Sequence, residues 1–521
     1  MNEKNWMVFD CETDSFDGKE VHPFIWGWIT RDNIYDFTYS KIDFVNVLKN
    51  FNGIALAHNG GKFDTLLLAE YFNIDSPIKI INGRVAEVQI GDCLVRDSFL
   101  IIPEKLAVAG EKDEFDYKIL NRNKKHLREI HKIEIEKYLK QDCVALKNLV
   151  EVFYKNFGQS LTLAGAALKF WERMTPLKRR YDFTHDNFFR QFYYGGRVQA
   201  FRKGVLGDDW NYYDIKSSYP HAMKQKHTAC HLSEYAMHSD IKKITPQSFA
   251  RIIAINRGCL PSREKYTTEF LVETGAREFF ATGWEIIAGI ETNTLHILEA
   301  TIYTPTRLES LEKYVEYFYA IKIAAETIGD KINRTIAKLF MNALSGKFGA
   351  NPENYHSYKI VEINERPDEY DIFLQGDDFD IVKKLSGGQF YDVALSASIT
   401  GCARAQLFRQ MLKCSDIAYC DTDSIICRDG QEHFDIGKKI GQWEHVAILD
   451  NLNIAGKKLY TGFDLKTVEQ ISAHKGFSVL DITHEDIEGA ARGLEKLIER
   501  SAPTISVLGE QKFIKRTLRS T

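Results

Sequence analysis

The sequence has no C-x-x-C pair. Its nine cysteines are scattered, several of them inside apolar runs, as Cys143 and Cys420 are. That excludes zinc-ribbon spacing and a disulfide-stapled scaffold, and leaves reduced, mostly buried thiols as the expectation. A long apolar run is missing too, and the opening MNEKNWMVFD carries no apolar signal core, so the chain reads as soluble and cytoplasmic with no membrane span. Nor is there an excess of one charge. The 68 Lys and Arg against 72 Asp and Glu leave a formal net charge of −4, which does not mark a nucleic-acid binder. An anionic polymer would have to be met by cations sorted into patches. One such patch is expected near the end, where Lys512, Lys515, Arg516 and Arg519 stand against only Glu510 after residue 500. Internal repeats and low-complexity tracts are absent. What is present is 521 residues, 44% hydrophobic and 27% charged. That is a globular composition on a chain too long for one core, which implies about three or four domains.

Residues 5–100 alternate short apolar runs with a helical pattern, from WMVFD and PFIWGWIT through GIALAHN and FDTLLLAEYF to AEVQIGDCLVRDS. This is the order of an α/β sheet domain. Ile135, Leu139, Leu146, Leu149 and Phe153 recur at helical spacing and predict a helix over 133–157. A second helix over 159–175 leads to KRRYD and the glycines at 195 and 196, a domain junction. Beyond it come NYYDIKSSYPHAM, many short strands to about 305, a helical region over 308–348, an acidic turn-rich segment RPDEYDIFLQGDDFD and a helix over 396–413.

Carboxylates recur at short spacings. In YCDTDS, Asp421 and Asp423 stand two apart between DIAY and SIIC, runs that suit strands, where Asp is disfavoured. Residues i and i+2 share a strand face, so the pair marks either an exposed turn or a cation site. Asp10 and Glu12 repeat the spacing in MVFDCETD. Asp64 opens a helical run in AHNGGKFDTLLL, a position where Asp is ordinarily an N-cap. Tyr138 and Asp142 fall four apart on one helical face. Together these supply four carboxylates and a phenol, a set able to hold two divalent cations and orient a water for in-line attack on a phosphodiester. Lys112 could neutralise the departing phosphate. Further on, Asp214 ends NYYD, and with Asp421 and Asp423 it forms a second site if the fold unites them. Between them lies GDKINRTIAKLFMNALSGKFG, whose Lys331, Arg334, Lys338, Asn342 and Ser345 share one helical face. Such a stripe is ordinarily a solvated basic side, and it also suits a triphosphate.

Taken in order, these motifs resemble those of the family B (alpha-like) DNA polymerases, most closely the protein-primed replicases of phages and linear plasmids. FDCET, HNGGKFD and YLKQD resemble the three proofreading exonuclease motifs. DIKSSYP, KLFMNALSGKF and YCDTDS resemble the three polymerase motifs. The resemblance implies an α/β and α+β multidomain fold. A ribonuclease H-like 3′–5′ exonuclease domain would span 1–158 and a connector with a YxGG-like motif 159–200. A right-hand polymerase would follow over 201–521: antiparallel palm (201–305 and 390–455), helical fingers with a first insertion (225–350), second insertion (350–390) and small thumb (456–521).

Roles follow by the same resemblance. Asp10, Glu12, Asp64 and Asp142 would be the exonuclease metal ligands, supported by Tyr138 and Lys112, while His58, Asn59, Phe63 and Ser98 would hold the frayed primer end. Asp214 and Asp423 would be the chief ligands of the polymerase cations, with Asp421 and Ile215 beside them. Tyr219 would lie beneath the sugar and exclude a ribose 2′-hydroxyl. Ser217, Ser218, Lys322, Lys338 and Asn342 would meet the deoxynucleotide. In YYGGR, Tyr194, Gly195 and Gly196 resemble a template-contacting linker; in TGCAR and KLY, Thr400, Arg404, Lys458 and Tyr460 resemble grips on template and primer. Two Mg2+ or Mn2+ ions per site, dNTPs and primer-template DNA are implied, with a terminal priming protein, a single-strand DNA-binding protein and a monomeric state as further expectations.

The sequence departs from the family pattern at Ala343 and Ser345, where serine and tyrosine are usual, and at Ser218, where leucine is common. Long stretches between Tyr219 and Lys338 and between Lys347 and Thr400 leave room for the two insertions of the protein-primed branch. The acidic Asp377, Asp378 and Asp380 read as a solvated loop. The alternatives are a nucleic-acid-primed family B enzyme, a reverse transcriptase (which generally has adjacent aspartates where DTD stands here) and a replication scaffold without catalysis, against which the intact carboxylates argue.

Overall fold

The strand Trp6–Thr13 is buried along nearly its whole length and pairs parallel with Ile54–Ala57 and antiparallel with Pro23–Thr30. A strand covered on both faces reads as a continuous apolar run, which is why WMVF stands at the start of the first domain. Its side chains alternate between two cores. Trp6 and Val8 join the helix Lys132–Phe157 in one, and Met7, Phe9 and Cys11 join Trp26, Phe44 and Leu48 in the other. The chain is seen here in a computed structural model, which describes residues 3–14, 21–108, 115–120, 125–175, 182–264, 267–386, 392–477, 481–499, 504–512 and 515–520.

The first sheet has ten strands, and three of them come from far along the chain. His356–Val361 pairs with Pro77–Ile81, setting Tyr358 opposite Ile78, and Asp380–Leu385 and Asp371–Leu374 extend the sheet outward. The expected second insertion is therefore an extension of the first domain's sheet. Asp380 also departs from the solvated loop expected of it: it is buried and accepts the backbone N–H groups of Asn364 (3.2 Å) and Gly376 (3.3 Å).

The second large sheet is antiparallel and has eight strands. Trp210–Ile215 lies at its centre between Ser424–Cys427 and Trp443–Gly456. Leu459–Asp464 and Gln470–His474 continue this sheet, so it runs on past residue 456, where the palm was expected to give way to the thumb. Palm residues expected up to 305 instead form a separate four-stranded sheet, Tyr235–His238, Leu295–Pro305, Phe249–Asn256 and Arg277–Thr282, with the helix Gly283–Glu291. The helix Val393–Met411 runs through the middle with 17 of its 19 residues buried, polar ones such as Ser396, Ser398 and Arg404 among them. The helical region expected over 308–348 is two antiparallel helices, Glu312–Ile328 and Lys331–Phe348. Gly329 ends the first in the left-handed conformation that favours glycine, and the Asp330 carboxylate caps the second. Among the described residues no helix is long and apolar enough to cross a membrane.

Two candidate carboxylate centres

Strand alternation builds the first centre. Asp10 and Glu12 continue the face of Trp6 and Val8, which looks towards the helix Lys132–Phe157, and Asp142 sits on that helix. One carboxylate oxygen from each of Asp10, Glu12 and Asp142 lies within 4.8 Å of the others. Tyr138 is one helical turn before Asp142 and equally buried, its ring stacked on Phe115 at 4.3 Å. Asp64, expected as a fourth ligand, is placed differently. It accepts a hydrogen bond from the Cys11 thiol at 3.2 Å, and Cys11 by alternation points away from Asp10 and Glu12. Burial pushes the Asp64 carboxyl above its usual range. Lys112 lies outside the described residues.

Of the residues expected to hold a primer end, His58 and Ser98 are engaged with each other. His58 donates through Nε2 to the carbonyl of Glu104 at 2.7 Å, and its Nδ1 is 3.0 Å from Ser98 Oγ. Ser98 is fully buried and donates to the carbonyl of Ala57, so it positions His58 and offers no surface of its own. Asn59 is exposed in the left-handed region with φ of 62°, and Phe63 is half-buried. Gly61 is required by space: a Cβ there would fall 2.0 Å from the carbonyl of Val85.

The second centre is a hairpin. Ile417–Asp421 and Ser424–Cys427 pair through Asp421 and Ser424, leaving Thr422 and Asp423 as a two-residue turn. Asp214 stands opposite Ser424 on the neighbouring strand, and Ile215 N–H donates to the carbonyl of Asp423 at 2.8 Å. This register brings together Asp214 and Asp423. Burial, with Asp423 and Glu444 nearby, pushes the Asp214 carboxyl up to about 7. Burial and Asp421 push Asp423 up to about 6. Two acids so raised form a site that favours a cation. Asp421 is turned to other work: Lys458 Nζ is 3.3 Å away, and the hydroxyls of Thr422 (3.0 Å) and Tyr419 (3.4 Å) donate to it. The backbone N–H of Lys458 donates to the Tyr419 phenol, and the buried Tyr460 packs on that ring.

Thr422 is held at φ of +58°, an outlying conformation for a β-branched residue. Its N–H donates to the carbonyl of Arg197 at 2.6 Å, and Gly196 packs so closely that a Cβ there would fall 2.5 Å from Thr422 Oγ1. The YYGGR linker thus fixes the turn between the two aspartates.

Arg404 corrects a second expectation. It is 2% exposed and paired at 2.8 Å with the equally buried Glu285, while its Nη1 donates to the carbonyls of Tyr194 (2.5 Å) and Gly195 (2.8 Å). It positions the linker and does not present a cation to a backbone phosphate. Thr400 is buried likewise, donating to the carbonyl of Ala397, and Tyr194 is buried under Arg263. Alanine at Arg404 would strand the Glu285 carboxylate in the interior, so a loss of about 3–5 kcal/mol is expected. Chemical unfolding of the Arg404→Ala variant measures it.

Tyr219 is half-buried in the short helix Ser218–Met223, with its phenol pushed up to about 12 by burial. Ser217 precedes that helix in the left-handed region, and the Ser218 side chain turns inward. Lys338 and Asn342 are exposed one turn apart, with the Asn342 amide donating to the carbonyl of Lys338. Lys322 and Arg334 both reach Glu326, at 3.7 and 2.9 Å. Ser345 is buried and its carbonyl accepts from Ser396. The basic patch expected at the end is largely neutralised, since Lys512 pairs with Glu510, Lys515 with Glu499 and Arg519 with Glu495.

Sequence reading missed Cys11, Glu285, Arg197, Lys216, which lies near Asp214, and the buried pair Arg84–Asp97. Glu285 does carry a signal, the capping box Thr282-x-x-Glu285, but nothing local points from it to Arg404.

The architecture is a multidomain exonuclease-plus-polymerase fold. Its match to Phi29 DNA polymerase complexed with primer-template DNA and incoming nucleotide substrates has a TM-score of 0.73 at 15% identity and covers all of both chains. The orthorhombic crystal form of Phi29 DNA polymerase gives 0.75 over 99% of this chain and all of that one. A DNA-directed DNA polymerase of Enterobacteria phage PRD1 is 33% identical over 99% of this chain and 98% of its own length. A probable DNA polymerase of Agaricus bitorquis is 24% identical over 85% of this chain and 68% of its own. Residues 108–380 match the family described as DNA polymerase type B, organellar and viral. The chain belongs to that family, and its activity is DNA-directed DNA polymerisation.

Proposed function

We propose that this chain replicates a viral or plasmid genome from a protein primer and edits the product 3′–5′. The observation that carries editing is the convergence of the Asp10, Glu12 and Asp142 carboxylates within 4.8 Å, an arrangement that repels itself without a cation. Both centres offer oxygen donors alone, which suits Mg2+ or Mn2+. Asp10, Glu12 and Asp142 would hold the ions of the first centre, and Asp214 and Asp423, with Asp421 and Ile215 beside them, those of the second. Bound there, two ions stabilise charge on the attacking and leaving oxygens of a phosphodiester.

The chain's own side chains supply the rest. Lys338 and Lys322 meet the triphosphate, Asn342 lines the nucleotide pocket, and Tyr219 stands beneath the sugar and excludes a ribose 2′-hydroxyl. Tyr138, beside Asp142, orients the attacking water at the editing centre. Like the Phi29 enzyme captured with primer-template DNA and incoming nucleotide, the chain is taken to bind these ligands. A cavity of about 1040 Å³ between the first domain, the fingers and the second insertion combines Lys62, Lys79 and Lys347 with the rings of Phe99, Tyr355 and Phe373. Cations for phosphates and rings for bases suit a single strand, and this is read as the template path.

Protein priming rests on the two insertions, one a separate sheet beside the palm and the other an extension of the first sheet. The test is incubation with labelled dATP, a candidate terminal protein and a linear template. Label fixed covalently to protein is the expected result. Label appearing only on oligonucleotide-primed DNA would remove the protein primer from the proposal and leave polymerisation standing.

A further inference from the structure

At the end of the catalytic hairpin remote from its turn, the Sγ atoms of Cys414 and Cys427 and a carboxylate oxygen of Asp429 lie within 4.8 Å of one another. We propose that these three side chains bind one soft divalent cation of the zinc class, a third metal centre distinct from the two carboxylate sites. Its chemistry separates it from them. Two thiolates select zinc-like ions, whereas the carboxylate centres offer only hard oxygen donors. A tetrahedral ion with sulfur at about 2.3 Å needs its sulfur ligands about 3.8 Å apart, a spacing compatible with three atoms that lie within 4.8 Å of one another.

The surroundings leave the thiols room to adjust. Cys414 follows the helix Val393–Met411, and its thiol makes a long contact, 3.5 Å, to the carbonyl of Gln410 and a thiol–thiol contact with Cys427. Cys427 ends its strand, and its thiol is 4.0 Å from the carbonyl of Asp429. Such thiol hydrogen bonds are weak. Asp429 is held ready from behind: its carboxylate accepts the N–H and hydroxyl of Ser415 and the N–H of Asp416, the kind of support that orients a metal ligand. Cys414 and Asp429 are partly exposed and give the ion a way in, while Cys427 is buried. On binding, two metal–sulfur bonds and one metal–oxygen bond form, the two thiol protons leave to solvent, no redox state changes, and water takes the fourth position.

The site would tie three elements together at the end of the hairpin away from its turn. Cys427 is opposite Asn211 on the strand of Asp214, and the Tyr213 phenol donates to the carbonyl of Asp429 at 3.0 Å. Occupancy is therefore expected to stiffen the palm.

The experiment uses the full-length chain, reduced with a phosphine and kept in excess Mg2+ so that the carboxylate centres are filled. Cobalt(II) is titrated in as the probe and then displaced by zinc. The expected result is thiolate-to-cobalt charge-transfer absorbance saturating at about one ion per chain, and a melting temperature raised by zinc. Cys414→Ser, at a partly exposed position, should lose both signals, whereas Cys402→Ser keeps both. No thiolate absorbance in the wild type, or absorbance that survives Cys414→Ser, would overturn the site.

Discussion

Alanine in place of Asp423 is expected to abolish primer extension, with a loss on the order of 10³-fold or more, since a metal-binding carboxylate contributes several kcal/mol to the transition state. The hairpin register puts this residue in the turn beside Asp214, and burial and neighbouring carboxylates raise both acids in spite of the lysines near them. Asp421 differs, being already occupied by Lys458, Thr422 and Tyr419. Asp421→Ala should therefore cost less than Asp423→Ala. Single-turnover extension of a primed template measures both variants, with degradation of the same primer as the control for folding. An Asp423→Ala enzyme that extends at the normal rate would remove this hairpin from the chemistry.

The double substitution Asp10→Ala and Glu12→Ala should abolish 3′ degradation and leave extension at its normal rate. Both residues lie on one face of Trp6–Thr13 and share their site with Asp142. Removing them relieves repulsion between acids, so the variant should melt no lower than the parent. Asp64→Asn provides a sharper comparison. Because Asp64 sits with Cys11 on the other side of the strand, its loss should slow degradation less than Asp142→Asn does. Equal losses would mean that Asp64 swings into the site when DNA binds.

Spacing alone made some of this legible. The i, i+2 aspartates with strand-like flanks marked a turn or a cation site, and the i, i+4 pair Tyr138 and Asp142 predicted a shared helical face. These are local periodicities, and the helix Lys132–Phe157 begins one residue from where the pattern put it. Pairings between distant residues left no such trace. Arg404 has the sequence look of a DNA-gripping cation, and only the fold supplies Glu285 as its buried partner. Asp64 looks equivalent to Asp10 until strand alternation separates them. The palm boundaries were also hidden, because Leu459–Asp464 pairs as readily in sequence with a thumb as with Trp443–Gly456.

The first domain's sheet has a history as well as a shape. Ile505 and Val507 lie in the same core as Met7 and Phe9, and Gln511 exchanges hydrogen bonds with the backbone of Val21 at 2.6 and 2.9 Å. A ribosome makes Pro77–Ile81 long before His356–Val361, so that edge waits unpaired while the residues between them are made. Unpaired edges recruit other chains, and partly made proteins are exposed to that risk. A fragment cut at residue 158 would carry the same bare edge permanently. The segment that carries Asp10, Glu12 and Asp142 is thus not by itself the unit that folds, since its sheet and core also draw on residues 356–385 and 505–507.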